Sequence, residues 1–366
     1  MTNADSPDNP FEDSPRPTEE ADQIEQLAKI TTQLQDMRYK GSRKILRGVH
    51  PKSHGCLRAV FQVLPDLDES LQVGLFATPG RRYRAKIRFS NASVRVEPDI
   101  TESGHGSRGM ALKVLNVDGE MLLDDEGKNN QDFLMINQPA FAFANAEDYL
   151  RLNQISLAND DKIDAFFAPF PGITPQQGAR LQRSGQLVKE LLTTPVANPL
   201  TVKYFGAAPF LFGPDRVMRF SAEPKVGETH QVLPEAPSEN YLREALEETM
   251  GGSDDVVFDF KVQVRGAGDD LAIENASAVW DEAETPYVTV AKIMIPAPQR
   301  NLFSRHRRRA CERLVFTPWH SLADHRPLGS INRLRKAVYL ASEEHRKPMR
   351  ARRRRGTVKR PRPNAP

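Results

Sequence analysis

Few side chains in this sequence are spaced for chemistry. There are eight histidines and two cysteines in 366 residues. His50 and His54 stand four apart, a spacing that would share one helix face. The run Gly48-Val49-His50-Pro51-Lys52-Ser53-His54-Gly55-Cys56 holds a proline and two glycines, so it is a poor helix and a poor two-histidine metal site. No HExxH, CxxC, Gly-x-Ser-x-Gly, GxGxxG or GxxxxGK[ST] occurs, which argues against a zinc protease, a zinc ribbon, a serine hydrolase and a nucleotide-phosphate cradle. Cys56 opens an apolar strand pattern and reads as a buried structural thiol rather than a nucleophile. Near the end, Arg335, Tyr339 and Arg346 fall on one face of a helical segment at i, i+4 and i+11. A cation beside a phenol oxygen stabilises phenolate. On their own, His50 would read as a loop histidine at a strand start and Tyr339 as a core tyrosine.

The elements that must position these residues follow from periodicity. CLRAVFQVLP, RYRAKIRFS, MALKVLNV and DFLMIN are short β-branched or alternating runs bounded by turn residues, and they predict strands. AEDYLRLNQISL, TPQQGARLQRSGQLVKELL and SENYLREALEETM predict helices, and QIEQLAKITTQLQDM (23–37) places Ile24, Leu27, Ile30 and Leu34 at helical spacing. VVFDFKVQVRG and PYVTVAKIMIPA return to strand. NLFSRHRRRACERLVF and SINRLRKAVYLASEEHR close the body as helices, the last ending near Pro348. Strands, inserted helices, strands again and final helices make an α+β protein with a mainly antiparallel sheet or barrel.

Composition bounds the rest. Residues 1–25 carry eight acids against one base, and residues 346–366 carry ten bases and no acid, so the net charge of +3 conceals two opposed tails. The expected organisation is a disordered acidic tail (1–25), a folded body (26–346) and a disordered basic tail (347–366). No apolar run approaches the ~20 residues of a membrane-spanning helix, and the acidic N-terminus lacks the apolar core of a signal peptide. With two cysteines, a disulfide scaffold is not expected, and a reducing cytoplasm is the expected compartment.

Four segments in order resemble the catalase family. Arg47-Gly-Val-His50-Pro-Lys52 with Gly55 resembles its distal Arg-x-x-His-x-Lys signature. Ile87-Arg88-Phe89-Ser90-Asn91 is similar to its Val-Arg-Phe-Ser-Thr, and Gly106-Ser107-Arg108-Gly109-Met110-Ala111-Leu112-Lys113 to its Asp-Pro-Arg-Gly-Phe-Ala-Val-Lys. Asn129-Asn130-Gln131-Asp132-Phe133-Leu134-Met135-Ile136-Asn137-Gln138-Pro139 resembles its Asn-Asn-Thr-Pro-x-Phe-Phe-Ile-x-x-Pro, and Arg335…Tyr339…Arg346 its haem-ligand segment.

The resemblance, over about residues 44–346, implies a b-type haem in a catalase-like antiparallel barrel with inserted and C-terminal helices. It implies Tyr339 as phenolate ligand to the iron, with Arg335 beside it. It implies His50 as the distal acid/base, Asn129 (or Asn130) as its amide partner and Ser90 as the group orienting the imidazole. Arg47, Arg88 and Arg346 are implied around the haem propionates, since carboxylates pair with arginine. The implied function is haem-dependent reduction of hydrogen peroxide or organic hydroperoxides, with an electron donor the sequence does not identify. Leu134 and Met135 stand where the family favours two phenylalanines, and the outer segments look short, so peroxidase turnover is expected to exceed oxygen release. Rival readings are a fatty-acid hydroperoxide isomerase on the same scaffold and a non-enzymatic haem-binding protein. A threonine commonly precedes the distal histidine in the isomerase branch, where this chain has Val49. The basic tail either contacts polyanions weakly or is a solvated tail; a homo-oligomer is compatible with the family.

Overall fold

In a computed structural model, the described residues are 18–43, 45–123, 129–225, 232–266 and 272–355, with side chains to residue 347. Eight strands close into one antiparallel barrel in chain order: β1 (Ser53–Val63), β2 (Arg82–Asn91), β3 (Arg108–Leu115), β4 (Asn130–Ile136), β5 (Tyr204–Leu211), β6 (Arg216–Pro224), β7 (Val256–Gly266) and β8 (Val288–Ile295), with β1 pairing back onto β8. Closure leaves no free sheet edge. The two-residue alternation decides what faces inward. In β2, Tyr83, Ala85, Ile87 and Phe89 are buried while Arg82, Arg84 and Lys86 are exposed. The interior is aromatic: Phe61 meets Phe260 edge-on at 5.3 Å, and Phe133 lies 5.0 Å from Phe220 and 4.7 Å from Phe260.

The helices are α1 (Thr18–Arg38), α2 (Ala146–Ala158), α3 (Pro175–Thr193), α4 (Tyr241–Gly251), α5 (Arg305–Arg313) and α6 (Ser330–Arg355). α1, α2 and α6 pack on one another outside the barrel wall. A buried ion network fastens them. Arg333 of α6 donates to both carboxylate oxygens of Glu20 on α1, at 2.9 and 3.0 Å, and to Glu274 at 2.6 Å.

Three expectations need correction. The acidic tail does not extend to residue 25, because α1 begins at Thr18 and Glu20 is buried in its pair with Arg333. The basic tail does not begin at residue 347, because α6 continues through Pro348 to Arg355; residues 1–17 and 356–366 lie outside the described residues. Cys56 is not a free thiol: it is disulfide-bonded to Cys311 of α5 across a sequence separation of 255. That pairing depends on α5 docking against β1, which no local pattern reveals. Strands β5 and β6 are additional to the expected set. β5 contains Gly206, Ala207, Ala208 and Pro209, which hide its strand character, and its register with β6 shifts between Gly206 and Phe210. A side chain at Gly206 would collide with the Phe220 ring.

Candidate functional site

Sheet register brings the separate segments together. Ser53 pairs with Ser90, Ser90 with Gly109, Gly109 with Ile136, and Ile136 with Phe205, so one transverse row crosses β1 to β5. Ser90, Gly109 and Ile136 line a cavity of about 410 Å³ between the barrel wall and the packed helices. Its other walls come from Thr31, Leu34 and Arg38 of α1, Tyr149 and Leu152 of α2, and Val338 and Tyr339 of α6. Phe141 and Phe143 add an aromatic wall, their rings 5.7 Å apart and within 6.0 Å of Tyr149. Leu134 lines the same space, whereas Met135 packs in the barrel core as well as touching the cavity.

His50 sits just before β1 in a left-handed backbone conformation, φ +55°. Its amide donates to the Ser93 carbonyl at 3.1 Å and its own carbonyl accepts from Arg88 at 2.8 Å, which holds the turn in place. The ring Nδ1 lies 3.0 Å from Ser90 Oγ. A neutral ring that donates Nδ1–H to Ser90 keeps Nε2 as its acceptor. Burial is the main cause that lowers the His50 pKa, to about 3, with Arg88, Arg335 and Arg47 adding to it. The imidazole is therefore neutral at ordinary pH, the state that can accept a proton.

Gly109 makes room for that ring. A Cβ there would lie 2.6 Å from His50 Cε1 and 2.7 Å from Nδ1. Gly109→Ala should turn the imidazole off Ser90 at an overpacking cost of roughly 1–3 kcal/mol. The check is the Tm together with the His50 ring resonances, which should lose the signature of the Ser90 hydrogen bond.

Three imidazoles with lowered pKa values share one acid-stability prediction. Burial, ahead of all other causes, holds His50 and His54 at about 3 and His325 at about 4. In the unfolded chain a histidine titrates near ~6.5. Between those values unfolding takes up protons, so this contribution is whole above about pH 6.5 and is lost as pH falls toward 3–4. With up to three protons involved, the slope from these groups alone approaches about 4 kcal/mol per pH unit. Denaturant midpoints measured from pH 7 to pH 4 should fall, and should fall less in a His54→Asn variant.

Arginines surround the same cavity. Arg88 is buried, and burial foremost, with Arg47 next, pulls its guanidinium down to about 9. Its Nε has no hydrogen-bond partner. Arg47 donates to Glu312 Oε2 and to the Leu314 carbonyl, both at 2.7 Å. Arg346 is buried on α6 with Nε on the Ser342 carbonyl at 3.1 Å. Arg335 stacks on the Tyr339 ring, 5.6 Å from its centroid, and donates to Asn332 at 3.2 Å. Arginines gathered at one cavity, two of them buried, fit an anionic ligand.

His50, Ser90, Arg47, Arg88, Arg335, Tyr339 and Arg346 thus all line one cavity. Asn129 does not join them. It is exposed, its carbonyl accepting from Val117. Asn130 opens β4 opposite Leu115, at the far end of the β3–β4 ladder from the Gly109–Ile136 pair. Six residues of extended strand separate it from the His50 end, and neither asparagine lines the cavity. The asparagine that does line the cavity is Asn153 of α2, whose Nδ2 donates to the Tyr149 carbonyl at 2.7 Å.

Two residues that sequence reasoning missed shape the site. Arg38 of α1 donates to the Gly48 carbonyl at 2.9 Å, two residues before His50, and to Asp161 at 2.8 Å. Glu312 is the acid on Arg47. Neither has a sequence signal beyond being a charged residue on a helix. His54 is turned away from His50, bonded to Asn91 at 2.8 Å, and no group of three metal-ligating His, Cys, Asp or Glu side chains occurs among the described residues. Nor is any helix among the described residues long and apolar enough to cross a membrane.

No protein-family model matches the sequence, and no curated protein sequence matches it. Solved structures do. A bacterial catalase aligns with TM-score 0.60 at 20% identity, over 82% of this chain and 57% of its own. Catalase A from Saccharomyces cerevisiae gives 0.61 at 17%, over 82% and 60%, and a fungal catalase 0.60 at 16%, over 82% and 58%. The chain therefore spans less than two thirds of the length of these catalases. At such identities the likeness is one of architecture, and the eight-stranded barrel with its flanking helices is a catalase-like fold.

Proposed function

We propose that this chain binds a b-type haem in the cavity and reduces hydrogen peroxide or organic hydroperoxides. The observation that carries the reading is the convergence of Tyr339, a neutral His50 and a buried arginine with an unpartnered nitrogen on one largely apolar space. These residues fit the group. The Tyr339 oxygen would hold the iron, with Arg335 stacked on its ring, and Arg88, Arg47 and Arg346 would take the two propionates. Haem would supply the iron-centred redox chemistry when bound.

The chain's own residues then handle protons and orientation. His50, held by Ser90 and by the Arg88–carbonyl bond, accepts a proton from one peroxide oxygen and returns it to the other. Its low pKa keeps it unprotonated across the ordinary pH range. Neither asparagine of the expected pair lines the cavity. Phe141, Phe143, Leu134 and Val338 give the cavity apolar walls, which suits an organic hydroperoxide and is the basis for expecting peroxidase turnover to exceed oxygen release.

The test is reconstitution with hemin, an absorption spectrum, and stopped-flow mixing with hydrogen peroxide and with a fatty-acid hydroperoxide. Oxidation of an added donor supports the reading. An allene oxide as main product would transfer it to the isomerase, and bound haem without turnover would make it a haem carrier. Polyanion contact through the basic tail is a separate proposal: salt-sensitive binding to DNA, RNA or anionic vesicles should disappear on deletion of residues 349–366.

A further inference from the structure

α5 is fastened to the barrel at one residue and presents a carboxylate at the next. Cys311 is bonded to Cys56 of β1, their Cα atoms 5.7 Å apart. Glu312 follows, with Oε2 2.7 Å from Arg47 Nη1 and Oε1 3.8 Å from Arg88 Nη2. A carboxylate of the chain itself therefore stands on two of the arginines that line the cavity.

Besides that bond, Arg47 holds the end of the helix through the Leu314 carbonyl at 2.7 Å, and the helix itself buries little. Cys311 is its one buried residue, and Arg305, Arg307, Arg308, Arg309 and Arg313 give it five like charges in nine residues. Such a helix has no apolar stripe to bury, and its like charges repel. The disulfide supplies the tether, and a tether sets the effective concentration of the group it carries. While the bond is closed, Glu312 is kept at Arg47 and competes with any incoming carboxylate. When it is open, that constraint on α5 is lost, leaving the Arg47 contacts, and the competition weakens.

We propose that Glu312 is a resident competing carboxylate for the arginine cradle and that the Cys56–Cys311 bond controls it, so that reduction by a dithiol opens Arg47 and Arg88 to a ligand carboxylate. In that step the Sγ–Sγ bond takes two electrons and two protons from the dithiol, giving two thiols here and a cyclic disulfide on the reductant. The proposal rests on the haem reading in so far as the ligand carboxylates are propionates.

The full-length protein, Glu312→Gln, and the double variant Cys56→Ser/Cys311→Ser are titrated with hemin, with hemin dimethyl ester, and with anilinonaphthalene sulfonate, an apolar anion that probes the cradle without iron. Each titration is run with and without a dithiol. Glu312→Gln, which keeps the disulfide, should bind hemin and the sulfonate about three- to tenfold more tightly than the parent. Reduction should tighten the parent by a similar factor, the double variant should match the reduced parent, and reduction should not alter Glu312→Gln. The dimethyl ester should show none of these differences, which a merely structural role of α5 would not predict.

If no form binds hemin but the sulfonate keeps this ranking, the haem reading falls and the role of Glu312 stands. If hemin binds and Glu312→Gln stays within twofold of the parent for both anions, the role of Glu312 falls and the haem reading stands. Failure of both probes to bind overturns both.

Discussion

Tyr339→Phe should abolish the parent's ferric haem spectrum. The substitution keeps the ring, its stacking under Arg335 and the cavity wall, and removes only the oxygen. Outer partners of metal ligands alone are worth roughly 10–100-fold in affinity, so loss of the ligand atom should exceed that. The measurement is a hemin titration with the absorption spectrum of the complex. An unchanged spectrum with unchanged affinity would mean that the iron sits elsewhere or that another group holds it.

His50→Ala should leave haem binding intact and slow peroxide cleavage. The residue is placed by backbone contacts to Ser93 and Arg88 and by Ser90, and none of these belongs to α6, which carries Tyr339. General acid–base catalysis is typically worth roughly 10²–10⁴-fold, and the rate measured by stopped-flow should fall by that factor. Because His50 titrates at about 3, the parent rate should show no histidine inflection between pH 5 and pH 8, where an unperturbed imidazole would give one. A variant as fast as the parent would take His50 out of the chemistry.

Much of this site was legible because its residues lie on elements with strong local periodicity. The β1 to β4 strands and α6 follow from alternation and from the 3.6-residue repeat, and antiparallel pairing of consecutive strands forces Ser90, Gly109 and Ile136 into one row. Asn129 lies away from the cavity because sequence proximity to that row says nothing about position along the strand. The ladder runs from Gly109–Ile136 to Leu115–Asn130, and the asparagines fall at its other end. Glu312, Arg38 and the Cys56–Cys311 bond were invisible for a different reason. Most of these contacts join segments that only the finished fold brings together, across as many as 265 residues for Arg47 and Glu312. β5 was missed through composition: its alanines, glycine and proline are poor strand formers that the closed barrel accommodates.

The Glu20–Arg333 pair has a consequence for the order of events on the ribosome. The two residues are 313 apart, so α1 is synthesised long before its partner. The eight strands are complete by Ile295, before any of α6 has been made. The barrel can therefore close co-translationally while α1 waits undocked and the cavity lacks its Tyr339 wall. A ligand that relies on the Tyr339 wall gains it only once α6 has been made, and a nascent chain stalled before Ser330 would display the strands' outer face to the chaperones around it.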